Sequence, residues 1–155
     1  MPDRPGSGRD ETEHERLDRN LEELLGELRV ALPGVQVLFA FLLVVPFNTR
    51  FASLSQGQER LYLVSLLFAG AASALLIAPT AAHRLTFRRQ QKSFIVDWGN
   101  KLTIAGLGCV ALSMTAAIGL VVDVVFSTGV AVGSAALIGS MFAVLWYVVP
   151  LRRRG

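Results

Sequence analysis

Few side chains in this 155-residue sequence could do acid–base or coordination chemistry, and they stand at the margins of apolar runs. His83 and Arg84 close one run in "APTAAHRLTFRR", Ala78 to Arg89. A histidine there either relays protons or rests among lipid headgroups as an anchor. Asp123 follows another run, Arg50 follows a third with Pro46 and Asn48 just before it, and Gln36 is the strongly polar amide within a run. Arg50 and Asp123 carry opposite charge, so they can pair as a structural clasp or act as a gate at the mouth of a pathway. His14, His83 and the lone Cys109 do not make a metal site, which needs several ligands at set spacings. "GSG" lies near the start and "GLG" within an apolar run, so neither follows a strand as a dinucleotide fingerprint must. No serine, histidine and carboxylate can be assembled into a nucleophilic set. These residues point to a protein that is not an enzyme and has no cofactor.

The elements that must position these groups are hydrophobic. The chain is 52% hydrophobic, with a mean hydropathy of +0.49, which is high for a soluble domain of this size. Four stretches free of charge run over 30–49, 61–82, 102–122 and 124–151. Each reaches the roughly 20 residues that an α-helix needs to cross about 30 Å of hydrocarbon. A small soluble bundle would need wet helix faces, and these runs have none. The expected fold is all-α, an integral membrane four-helix bundle preceded by a cytoplasmic amphipathic helix, with spans at about 33–52, 61–82, 102–122 and 126–150.

Basic residues set the expected orientation. Thirteen of the fifteen lysines and arginines fall before the first span, between the second and third, or after the fourth; only Arg50 and Arg60 fall elsewhere. The positive-inside rule then puts both termini and the central loop in the cytoplasm of a bacterium, with the chain in its plasma membrane. His83 lies about 33 Å along the second span from Leu61, at the cytoplasmic edge of the hydrocarbon, where an anchor is the expected role. Arg88, Arg89, Lys92, Trp98, Trp146, Arg152, Arg153 and Arg154 are expected to touch headgroups, with anionic lipids at that face. The sequence pI near 9.6 follows from these flanks; there is no aromatic-and-basic platform for nucleic acid.

Nine of the twelve acidic residues lie between Asp3 and Glu27. Leucines at 17, 21, 24, 25 and 28 fall on one helical stripe, Thr12 and Glu15 fit a capping box, and Pro33-Gly34 breaks the pattern. An amphipathic helix is expected over 13–32, with a disordered leader over 1–12 and a basic tail over 152–155. An ordinary membrane-surface helix would be rich in Lys and Arg; this one is acidic. It is therefore expected to dock by charge over the basic loop 83–101, or to meet a protein partner. Small residues recur every four positions, as Gly70, Ala74, Ala78; Ala105, Cys109, Ser113, Ala117; and Ala131, Ala135, Gly139, Ala143. Such stripes suit packing within the bundle, or a homo-oligomer interface.

"RNLEELLGELRVALPGVQVLFAFLLVVPFNTRF", "LLIAPTAAHRLTFRR" and "WYVVPLRRR" resemble an uncharacterised group of small actinobacterial membrane proteins, classed as a domain of unknown function. The resemblance covers roughly residues 19–153 and implies a four-span plasma-membrane protein. Some members carry the label sodium:proton antiporter, which makes a small secondary transporter, or a subunit of one, the alternative function. An antiporter usually holds acidic residues in its membrane core, and none lies near the middle of any run here.

Overall fold

The computed structural model describes residues 13–86 and 92–153. The leader 1–12 and the side chains of Arg88, Arg89 and Arg154 lie outside the described residues; Lys92 is described as backbone only. The order is α1 (Glu13–Val44), two 3₁₀ turns (Val45–Phe47, Thr49–Ser53), α2 (Gln56–Thr86), α3 (Lys92–Val125), α4 (Thr128–Ala143), a π-turn (Val144–Val148) and α5 (Val149–Arg152). Four helical segments are long and apolar enough to cross a membrane: Glu15–Phe47, Gln56–Leu85, Val96–Val125 and Thr128–Arg152. Large apolar side chains such as Phe41, Leu67, Val132 and Leu137 are more than 60% exposed, as lipid-facing positions are. The chain is a multi-pass membrane protein. Four crossings leave both termini and the α2–α3 connection at one end, the termini end; the 45–55 and 126–127 turns form the loop end.

The break expected at Pro33-Gly34 does not occur. α1 continues through Pro33, although an interior proline removes one backbone bond and costs about 3 kcal/mol. Leu24, Leu28 and Val35 explain why, because they belong to one buried cluster that spans the proline. Leu21, Leu24 and Leu28 are each buried, and burying such a side chain from water contributes roughly 1.5–3 kcal/mol, so packing outweighs the local defect. α1 is thus about 48 Å long at 1.5 Å per residue, well beyond the hydrocarbon.

Two further boundaries differ from expectation. Within the expected loop 83–101 the described residues are helical: α2 extends to Thr86 and α3 starts at Lys92. The leucines of the acidic helix help to seat it, Leu21, Leu24 and Leu28 being buried, and Arg19 and Glu23 form an ion pair at 3.8 Å within α1 itself. α1 ends at Val44 and the span-capable segment at Phe47, both earlier than 52, because Val45–Phe47 and Thr49–Ser53 wind into 3₁₀ turns. Pro46 favours that change by leaving the α-type ladder one donor short.

The buried positions of α2 are Tyr62, Ser65, Ala69, Ala72, Leu76 and Pro79; those of α3 from Gly99 to Ser113 are Gly99, Thr103, Gly106, Val110 and Ser113. Both sets alternate steps of three and four. That is the 3.5-residue repeat of left-handed coiled-coil packing, and it replaces the strict four-residue stripes. The contact is close at Gly106, where a Cβ would lie 2.8 Å from Leu76 Cδ2 and Cγ. At Gly99 three helices converge, and a Cβ there would meet Leu24 Cδ2 at 3.0 Å and Pro79 Cβ at 3.2 Å. α4 behaves differently. Among the described residues no Cα of α4 comes within 8 Å of α1 or α2, so its close backbone neighbour is α3.

Candidate functional site

The loop end gathers the polar groups. α2 begins with Ser55 and Gln58 exchanging hydrogen bonds: Ser55 N donates to Gln58 Oε1 at 2.9 Å and Gln58 N donates to Ser55 Oγ at 3.3 Å. This is a capping box with glutamine at its third position. It fixes the Gln58 side chain so that Nε2 donates to Asp123 Oδ2 at 2.9 Å. The other oxygen, Asp123 Oδ1, is enclosed and makes no hydrogen bond; the Thr128 side chain stands beside the carboxylate. Asp123, Gln58, Arg60 and Thr128 rim a groove of about 720 Å³ between α2 and α4, floored by α3.

Arg50 is not part of this cluster, and the expected Arg50–Asp123 pair is not formed. Arg50 borders a separate cleft between the end of α1 and α3, with Asn48, Phe51 and Leu120. α3 stands between the two clefts. The 3₁₀ turns cause this separation: Asn48 Oδ1 accepts from Arg50 N at 3.0 Å and Ser53 Oγ donates to Arg50 O at 2.7 Å, which fixes the Arg50 backbone on the α1 side. Nearby, Tyr62 Oη donates to Leu42 O at 2.9 Å, satisfying one of the carbonyls left free at the end of α1.

Midway along the bundle, two hydroxyls lock α2 to α3. Ser65 Oγ donates to Ser113 O at 2.9 Å and Ser113 Oγ donates to Ser65 O at 2.8 Å, with both residues fully buried. Toward the termini end, Tyr147 Oη donates to Ile104 O at 2.9 Å. Gly108 makes that possible, since a Cβ there would stand 2.9 Å from Tyr147 Oη. The π-turn supplies the direction. Tyr147 is eight residues past Gly139, which faces α3 through Thr115; in a plain α-helix it would be rotated about 80° away. The extra residue of a π-turn brings that to about 20°. Pro150 follows, and its ring conflicts with an α-type carbonyl at Trp146.

The remaining expected residues are scattered. Gln36 is exposed on α1. His83 and Arg84 lie in the last turn of α2, His83 half-buried and Arg84 exposed. Gln58 marks the level of Asp123, so His83, 25 residues on, is about 38 Å away along the axis. The two cannot act together. Trp98, Trp146, Arg152 and Arg153 are exposed near the termini end. Sequence reasoning does not single out Gln58, Thr128, Ser65 or Tyr147, and takes Ser113 only as a small packing residue. A capping-box spacing at Ser55 and Gln58 was the available signal for the first.

Comparison with curated proteins and with solved structures yields no match. A family model does match, over residues 10–150, and it spans all four membrane helices. The chain belongs to the family of unknown function DUF6328.

Proposed function

We propose that this protein is a non-enzymatic component of the bacterial plasma membrane, with cytoplasmic termini, whose first helix offers an acidic face to a protein partner. The observation that carries this reading is how α1 divides its surface. Leu21, Leu24 and Leu28 are buried, the last two in one cluster with Ala72 and Leu76 of α2 and Val110 of α3, while Glu22, Glu23 and Glu27 are exposed. The apolar stripe is therefore occupied, and what remains for recognition is charge. Electrostatic surfaces of this kind supply specificity and encounter rate. The excess of basic residues at the termini end supports a cytoplasmic placement, and Arg152, Arg153, Trp98 and Trp146 suit anionic headgroups there.

Two measurements test the reading. In a Cys109→Ala background, cysteines at Ser7, Gln56 and Gln91 are exposed to an impermeant thiol reagent on whole cells; only Gln56 should label. Labelling at Gln91 would reverse the orientation. Changing Glu22, Glu23 and Glu27 to lysine should then remove a protein that copurifies with wild type from native membranes, with melting temperature unchanged. Undiminished copurification rejects the acidic face.

A small secondary transporter, such as a sodium:proton antiporter, is the competing reading. Asp123 favours it, because a carboxylate oxygen without a donor is unusual in a closed setting. Against it stands the roughly 38 Å to His83, with hydroxyls held by backbone carbonyls between them. A pH-dependent cation flux in vesicles, lost in folded Asp123→Asn, would decide for the transporter.

A further inference from the structure

We infer that the partner of the acidic face of α1 is a second copy of this chain, whose last span lies against α1 and brings Arg152 and Arg153 to Glu22, Glu23 and Glu27. The inference rests on the reading of α1 above and names its partner. Each copy leaves two helix faces uncovered. Among the described residues no Cα of α4, the π-turn or α5 comes within 8 Å of α1 or α2. Val132, Leu137 and Leu145 on that span are more than half exposed, as are Val30, Val37 and Phe41 on α1. Both faces are open to a close neighbour. A Cβ added at Gly26 or Gly34 of α1, or at Gly129 or Gly133 of α4, would meet nothing within 4 Å.

Charge decides which face meets which. On the exposed surface of α1 the three glutamates outnumber Arg19 and Arg29. The chain from Thr128 to Arg153 has no acidic residue and ends in two exposed arginines. Among the described residues neither arginine forms an ion pair. Pairing the last span with its own copy would set arginines against arginines; pairing it with α1 sets them against glutamates. Copies in one bilayer share its normal, so complementary charges must also lie at one depth. Gly99 of α3 marks that depth on α1, because a Cβ there would stand 3.0 Å from Leu24 Cδ2. Ile104 of α3 marks it on the last span, because its carbonyl accepts from Tyr147. Gly99 is five residues from Ile104 toward the termini end, and Arg152 is five residues from Tyr147 in the same direction. Each step covers about 7.5 Å of axis. Arg152 therefore comes within about one turn of the Leu24 level, and Glu23 and Glu27 flank that leucine. Within one copy α1 and the last span are not neighbours, so these charges meet only between copies.

The test uses full-length chains with two different tags, co-expressed in one membrane. In a Cys109→Ala background, Glu23→Cys with Arg152→Cys should give a disulfide-linked pair of chains under mild oxidation. The bond cannot close within one copy, since it needs Cα atoms less than about 7 Å apart and these helices stay beyond 8 Å among the described residues. Glu22→Lys, Glu23→Lys and Glu27→Lys together, or Arg152→Glu with Arg153→Glu, should weaken capture of one tag by the other about tenfold or more, because like charges then face each other. All five positions are exposed, so the melting temperature should not change. Mixing the two reversed chains should restore capture, because every contact again joins opposite charges. Wild type that captures no second copy, undiminished capture by either reversed chain, or a mixture no better than its components would overturn the inference. A different protein lost with the glutamates, while no second copy is captured, overturns this assignment and keeps the acidic face. If no copurifying chain of any kind is lost, both fall.

Discussion

The same three helices are joined by different side chains at two depths. At the termini end the seam is leucine: Leu21 and Leu24 of α1 are buried, Leu24 beside Pro79 and Gly99. Halfway along the bundle it is serine and alanine: Ser65 and Ala69 of α2 are buried, with Ser113 of α3 opposite Ser65. The solvent each part faces accounts for the difference. In water, burying a leucine releases the cost of hydrating it, so large apolar side chains hold the extension together. In lipid a leucine gains little by burial, since the acyl chains are equally apolar. Close backbone approach and interhelical hydrogen bonds then carry the packing. The protein changes its adhesive where the surroundings change.

Substitutions can separate the two halves, and the largest effect belongs to the aqueous one. Leu24→Ala should destabilise the seating of α1 by about 2–5 kcal/mol, measured as faster hydrogen exchange over 15–29 with the α2–α3 amides unchanged. Equal loss of protection at Ser65 and Ser113 would mean that the two depths are one cooperative unit. Gly106→Ala should cost about 1–3 kcal/mol, because its Cβ would fall 2.8 Å from a buried Leu76; a melt in detergent reads it. Ser65→Ala should cost only about 0.6 kcal/mol, the average for hydrogen bonds between membrane helices. A loss several times larger would show that the hydroxyl pair dominates its seam. Reversing Glu22, Glu23 and Glu27 to lysine should leave the exchange of α1 nearly unchanged, because all three are exposed while Leu21, Leu24 and Leu28 are buried.

The four spans could be read from the sequence because an uncharged run of some 20 residues has few other uses. The continuity of α1 could not. Pro33-Gly34 is a strong local stop signal, and only the register of Leu24, Leu28 and Val35 against two other helices overrules it. The 3.5-residue seam was masked by abundant alanine and glycine, which match a four-residue spacing equally well over a few turns. Asp123 was recognisable as a polar residue at a span end. Its partner was not, because Arg50 lies closer in charge logic while Gln58 lies closer in space. The intervening 3₁₀ turns put the arginine on the other side of α3, and such turns leave little trace in composition.

The π-turn at Val144–Val148 holds one more residue than an α-helix would need over the same arc. In the language of insertions and deletions, it is a spare residue. Losing one amino acid elsewhere in α4 would rotate everything after it by about 100° and turn Tyr147 away from Ile104. Losing one within Val144–Trp146 would let the turn relax to α-helix while the tyrosine kept its heading toward α3. The last stretch of the fourth span can thus change length by one without changing face.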